Sequence, residues 1–162
     1  MYNVYRQRSI VGLDEHPQRV LALVLMCALL AGCGEKSPFE LVAVRGKIAY
    51  SDGSLITADQ LLVKFIPQGI RAIGKHASRS SETYAKVTDG TFTGLTTWKY
   101  ADGVMVGHHK VVVMSLRVGS RGVGEPTTAV PFHYQDATST PLEVEVTSGG
   151  DNDFMLMIER DS

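Results

Sequence analysis

The sequence predicts an all-β protein: a single seven-stranded β-sandwich that follows an N-terminal export signal. From residue 42 onward, short segments alternate between apolar and polar residues, as half-buried strands do. Turn signals rich in glycine and aspartate separate these segments, and no stretch among them has the helical period. A chain of 162 residues suffices for one domain with its own core. A small open barrel is the competing architecture.

The first two strands are predicted at residues 42–50 and 61–66. In the first, Val42, Val44, Ile48 and Tyr50 would share one apolar face, and a Ser-Asp-Gly turn follows. The second ends at a proline, which cannot donate to a strand ladder. Residues 68–82 are rich in serine, arginine and glycine and predict a long loop.

The middle of the sequence predicts a hairpin and then the central strand. Residues 84–87 and 91–96 flank a Thr-Asp-Gly turn, and Gly94 would mark a bulge in the second segment. Residues 109–116 are apolar on both faces, which places this strand in the middle of a sheet.

The last two strands are predicted at residues 142–147 and 154–158. The first has one apolar and one charged face, and a Ser-Gly-Gly-Asp turn leads into the second. Residues 119–126, rich in glycine, predict a further loop.

The N-terminal region has the features of an export signal. Arginines precede an apolar run at residues 20–30, which is too short to span a membrane, and small residues follow it. Leu30, Ala31, Gly32 and Cys33 resemble the lipobox of bacterial lipoproteins, in which signal peptidase recognises the three residues before a lipidated cysteine. An ordinary signal or a core helix that contains cysteine is the alternative.

This resemblance implies three segments: a removed signal at 1–32, a lipidated tether at 33–41 and a sandwich domain at 42–160. The covalent lipid on Cys33 would be the protein's only cofactor, and it would anchor the chain to a bacterial membrane. Cys27 would leave with the signal, so the mature chain would have no thiol. Gly34, which is not aspartate, implies the outer membrane.

A series of short motifs resembles the carboxypeptidase regulatory-like domains, which are related to transthyretin-like and Ig-like sandwiches. The order of the motifs carries more weight than any one of them. The matching segments are 46–55, 61–65, 88–92, 107–111, 131–134, 140–142 and 152–154. With the lipobox in front, the chain is similar to small lipoproteins of planctomycete-type bacteria. Residues 92–95 and the loop 68–82 depart from the family pattern.

The resemblance implies a non-catalytic module, because such domains generally serve in folding, attachment or contacts with carbohydrate and protein. The transthyretin-like hydrolases end in Tyr-Arg-Gly-Ser, a motif that this C-terminus lacks. The net charge of −1 shows no basic excess that would favour a nucleic-acid partner. We therefore expect no catalytic residues.

Histidines are the candidate residues for an alternative function, an envelope metal-handling protein or hydrolase. His108 and His109 are adjacent on a strand, so their side chains should point to opposite faces and not share an ion. His133 is distant in sequence, and no paired spacing typical of zinc ligands is present. The sequence therefore predicts no metal site.

A carboxylate pair is the other candidate for chemistry. Glu143 and Glu145 share one face of a strand, a spacing compatible with paired acids. A solvated strand face explains them better, because the strand is otherwise ordinary and amphipathic.

Trp98 and Tyr100 are the candidate binding residues. They lie close together in a predicted loop, where exposed aromatic rings could stack on sugars or anchor a protein. The alternative is that they cap the open end of the core. We expect any interaction surface to include the loops 97–106 and 68–82, and we expect the partner to be an envelope protein or a glycan.

Overall fold

A computed structural model of the chain describes residues 37–119, 122 and 124–161. These residues are mostly β, in a sandwich-like arrangement of several sheets. The strands are β1 (Leu41–Val42), β2 (Arg45–Tyr50), β3 (Gln60–Pro67), β4 (Ser81–Ala85), β5 (Thr91–Phe92), β6 (Val104–Met105), β7 (Gly107–Val118), β8 (Gly124–Pro126), β9 (Glu143–Val146) and β10 (Asp153–Ile158). A short 3₁₀ helix covers Phe132–Tyr134. Within the described ranges, no helix is long and apolar enough to cross a membrane.

The strands form two main sheets and one small ribbon. One sheet has the order β10-β2-β5, with β10 parallel to β2. The other has the order β4-β3-β7-β8, and β9 also pairs with β7. β1 and β6 form a separate antiparallel pair.

Phe65 of β3 joins the two main sheets. Its ring centroid lies 6.1 Å from that of Phe92 on β5 and 6.2 Å from that of Phe154 on β10. Val63 and Val113, which are directly opposite each other on β3 and β7, are completely buried beside it. Each such side chain contributes roughly 1.5–3 kcal/mol to the free energy of folding when it is fully buried. These residues are therefore a main source of the domain's stability.

β7 lies in the middle of its sheet, as the sequence predicts. β7 pairs with β3 through eight consecutive residue pairs, and β8 and β9 also pair with it. His108 is exposed and His109 is buried, so the two side chains point to opposite faces as predicted. The predicted alternation of β9 is also present, with Val144 and Val146 on the more buried side.

The described residues contain ten strands rather than the predicted seven. The predicted strand 42–50 divides into β1 and β2, which pair with different strands. β6 and β8 lie in segments predicted to be loops. Strands of two or three residues are too short to show a period, so alternation cannot reveal them.

The predicted hairpin at residues 84–96 forms in part, with its arms bonded at Lys86–Thr91 and at Glu82–Thr96. The turn itself forms: Gly90 N–H donates to Lys86 O at 2.7 Å, and Lys86 N–H donates to Thr91 O at 2.8 Å. However, β4 pairs with β3, whereas β5 pairs with β2 in the other sheet. The segment after β5 bends at Gly94, whose φ is +65°, and then meets β4 again where Glu82 and Thr96 form an antiparallel bridge. The turn therefore carries the chain from one sheet to the other.

Gly90 allows this crossing, and its replacement is a test of the fold. Its φ is +75°, and an added Cβ would lie 2.1 Å from Ile48 O. Gly53, with φ +82° and nothing within 4 Å of an added Cβ, is the matched control. We expect Gly53→Ala to cost about 1–2 kcal/mol of unfolding free energy, from backbone strain alone. Gly90→Ala should cost about 3–5 kcal/mol, because the backbones must also separate.

Urea unfolding of the two variants and the wild type measures these costs. Equal losses in the two variants would contradict the close contact between Gly90 and β2.

Candidate functional site

The residues predicted for export and lipidation lie outside the described residues. These are Leu30, Ala31, Gly32 and Cys33. The candidate site in the described part of the chain is therefore built from the two predicted loops and the strand between them.

Both predicted loops contribute to one cleft of about 930 Å³ beside β4. The loop 68–82 supplies Ser78, Arg79 and Ser80, and the loop 97–106 supplies Thr97 and Tyr100. The remaining lining residues are Leu62, Glu82, Thr83, Tyr84, Thr93, Gly94 and Thr96. We call this surface the β4 cleft.

The two walls of the β4 cleft are joined by hydrogen bonds at their base. Glu82 N–H donates to Thr96 O at 3.0 Å, and Thr96 N–H donates back to Glu82 O at 2.9 Å. Thr83 Oγ1 donates to Thr93 O at 2.9 Å. These bonds hold residues 93–96 beside β4. The shape of the cleft is therefore determined by hydrogen bonds along the edge of the sheet.

Two tyrosines are the most accessible apolar groups of the β4 cleft. The side chain of Tyr100 is 93% exposed and that of Tyr84 is 57% exposed. Tyr84 stands on β4, whose hydrogen bonds to β3 hold its backbone. Tyr100 lies in a turn that Ala101 N–H closes by donating to Thr96 Oγ1 at 3.0 Å. Rings held on ordered backbone and exposed to solvent are suited to contact a ligand.

The carboxylate of Asp102 organises the loop that carries Tyr100. It accepts hydrogen bonds from the backbone N–H groups of Thr97 at 2.7 Å, Trp98 at 3.0 Å and Lys99 at 2.8 Å. Partial burial alone would raise the pKa of Asp102, but these hydrogen bonds outweigh it and hold that pKa below its usual range. The ionised form of Asp102 therefore stabilises the loop.

Trp98 and Tyr100, predicted together, occupy different environments. Tyr100 lines the β4 cleft, whereas Trp98 is half-buried and stacks on Phe39, with ring centroids 5.5 Å apart. Arg79 lies against the same indole, its Cζ 5.4 Å from the ring centroid. Trp98 thus connects the start of the described chain, the Tyr100 loop and an arginine of the opposite wall.

The histidines of the alternative prediction are not brought together. His108 lies 3.7 Å from Glu145 across β7 and β9, and His133 lies 3.9 Å from Asp161. The described ranges contain no group of three or more histidine, cysteine or acidic residues that could hold a metal ion.

The predicted carboxylate pair lies on the same strand face as His108. Glu143 lies 3.7 Å from Lys110, just as Glu145 faces His108. Both acids are largely exposed, so each makes a cross-strand contact on a solvated face, Glu143 with the Lys110 ammonium and Glu145 with the His108 imidazole.

His109 is a buried neutral histidine. Only 1% of its surface is exposed, and burial lowers the pKa of its imidazole. Its Nδ1 lies 2.9 Å from Gly107 O, so this nitrogen carries the proton. Nε2 has no hydrogen-bond partner among the described residues. The ring instead packs edge-on to Phe65, which makes His109 part of the core.

Sequence reasoning missed Tyr84 and Arg79. Tyr84 was assigned only as a strand residue, although strand alternation would place it on the face opposite the buried Ser81 and Ala85. Arg79 lies in a segment without periodicity, so no signal in the sequence could have paired it with Trp98.

Comparison of the chain with protein-family models, with curated proteins and with solved structures gave no match.

Asp102→Asn tests how the Tyr100 loop is held. An amide cannot accept three N–H bonds as a carboxylate does, so we expect a loss of about 2 kcal/mol in unfolding free energy at pH 7. The folded-state pKa of Asp102 is lowered, so its contribution is complete above the unfolded value of about 3.9. It is lost as the pH falls through the folded-state value.

Urea unfolding of wild type and Asp102→Asn from pH 7 down to pH 3 checks this expectation. The difference between the two proteins should shrink toward the acid end. A difference that is constant with pH would show that the charge of Asp102 has no role.

Proposed function

We propose that this protein is a lipid-anchored, non-catalytic module of the cell envelope that binds a protein or glycan partner through the β4 cleft. One observation carries the proposal. The two loops nominated from sequence meet at a single cleft, where the rings of Tyr84 and Tyr100 are exposed to solvent. Clefts with exposed aromatic rings and a few polar groups are typical ligand sites.

The chemistry of the β4 cleft favours binding over catalysis. Its lining is dominated by serine and threonine hydroxyls together with the two tyrosine rings. Its acidic group, Glu82, lies 3.5 Å from Lys64 and is held as an ion pair. Arg79 is engaged with the Trp98 indole. Hydroxyls and rings hold and orient a ligand, whereas nucleophilic catalysis needs a nucleophile and base within hydrogen-bond reach.

The anchoring part of the proposal rests on the lipobox-like residues. Leu30, Ala31 and Gly32 precede Cys33, and the following Gly34 favours the outer membrane. A covalent lipid with additional contacts would hold the module at the membrane surface.

Replacement of Cys33 tests the anchor. In the native organism, labelled fatty acid should be incorporated into wild type and into Cys27→Ser, which is the matched control. Cys33→Ser should incorporate none, because the oxygen nucleophile cannot replace the thiol, and its signal should remain uncleaved. Fluorography and cell fractionation measure both effects. Undiminished labelling of Cys33→Ser would contradict lipidation at this residue.

Photocrosslinking tests the cleft as the partner site. A diazirine amino acid at position 100, introduced in living cells, should give a discrete product with a protein or a glycan. Position 132 is the matched control, because Phe132 is 64% exposed but does not line the β4 cleft. The products are resolved by electrophoresis and identified by mass spectrometry. Equal products from both positions, or none from position 100, would contradict the assignment.

A further inference from the structure

We infer that the ligand of the β4 cleft is an extended, uncharged glycan that stacks sugar rings on Tyr100 and Tyr84 and continues past Tyr84 into a second groove. This inference rests on the proposed function, and it selects one of the two partner classes.

The side chains of the β4 cleft match the surface of a sugar. A pyranose ring has an apolar face and a rim of hydroxyls, so it needs aromatic platforms and small polar groups together. Tyr84 and Tyr100 supply the platforms. The hydroxyls of Ser78, Ser80 and Thr93 line the same cleft.

The backbone of the β4 cleft is closed to a peptide strand. An extended peptide would bind by adding to a free strand edge. Here Glu82 exchanges two backbone bonds with Thr96, and Lys86 N–H donates to Thr91 O. These bonds occupy the outer edge of β4 on both sides of Tyr84. A strand-forming peptide could therefore not pair along this edge, which favours a glycan as the ligand.

A second groove of about 440 Å³ adjoins the β4 cleft. Tyr84 and Thr93 line both, so the tyrosine stands where the two meet. The second groove continues over Gly46 and Phe92, toward Arg45 and Asp153. A ligand that used both sides of Tyr84 would span several sugar residues.

Most charged groups along both grooves lie near groups of opposite charge. Arg45 donates to Asp153 and Asp151 at 2.9 Å each, and Glu82 is paired with Lys64. Lys47 and Lys86 also line the second groove and act on Asp89, whose pKa is lowered first by hydrogen bonds from Thr91 and further by these two lysines. Arg79 in the β4 cleft lies against the Trp98 indole. A strongly charged polymer would have to compete with these pairs. The lining is therefore complementary to a neutral glycan, whose binding should depend little on salt.

A binding experiment on the purified full-length protein tests the inference. The probes are four neutral hexasaccharides (cellohexaose, hexa-N-acetylchitohexaose, mannohexaose and xylohexaose) and the anionic hexagalacturonate. Calorimetry measures affinity, and the fluorescence of Trp98, the single tryptophan, reports on the loop beside the cleft. We expect at least one neutral probe to bind, with less than about a twofold change in affinity between about 0.05 M and 0.5 M NaCl.

Variants connect the binding to the two rings. Tyr84→Ala and Tyr100→Ala should each weaken binding by about tenfold or more, as expected for loss of a stacking contact. Tyr100→Phe should retain most of the affinity, since the ring remains, and Phe132→Ala should bind as wild type does. If Tyr84 lies between two occupied grooves, Tyr84→Ala should lower the affinity for the hexasaccharide more than the affinity for the corresponding disaccharide.

The outcomes separate this inference from the proposed function. Binding of hexagalacturonate alone, or binding that weakens steeply with salt, would overturn the assignment of an uncharged ligand. If no neutral probe binds, the glycan inference is overturned. A protein crosslinked from position 100 would then still support the proposed binding function, whereas the absence of any product would remove that function too.

Discussion

The pairing of β3 with β7 is the interaction on which the rest of the structure depends. Its eight residue pairs place Val63 opposite Val113 and Phe65 opposite Val111, and all four side chains are fully buried. A slip of one residue would move this set to the other face and leave Phe65 unable to contact the second sheet. The buried faces of both sheets, and with them the sandwich, follow from this one register.

The β4 cleft is a consequence of that register at the edge of the sheet. β4 pairs with the other side of β3, which turns Tyr84 away from the core. The Gly90 turn then takes the chain to the second sheet, and the segment after β5 returns along β4 to meet Glu82. Asp102 holds the next loop in place with three backbone hydrogen bonds. The cleft thus has a rigid strand on one side and a carboxylate-ordered loop on the other.

Alternation in the sequence was enough to predict the β class, the central strand and the buried side of β9. It could not assign the strand after Gly90 to a sheet, because the Thr-Asp-Gly turn is the same in a hairpin and in a crossing between sheets. The distinction lies in the contact between Gly90 and Ile48, which are distant in sequence. The exposure of Tyr100 could be predicted, because an aromatic residue in a polar loop is conspicuous in the sequence. The contact between Arg79 and Trp98 could not be predicted, because only the fold brings these two residues together.

The most direct test of the central claim, that the β4 cleft is the binding surface, is amide hydrogen exchange on the protein in its native envelope. Exchange would be compared with that of the isolated domain, peptide by peptide. The account predicts added protection confined to residues 78–84 and 93–103, with β10 unchanged although Met155 and Met157 are exposed there. Protection along β10 instead, or on the β7–β9 face around His108, with none at the cleft, would contradict the account.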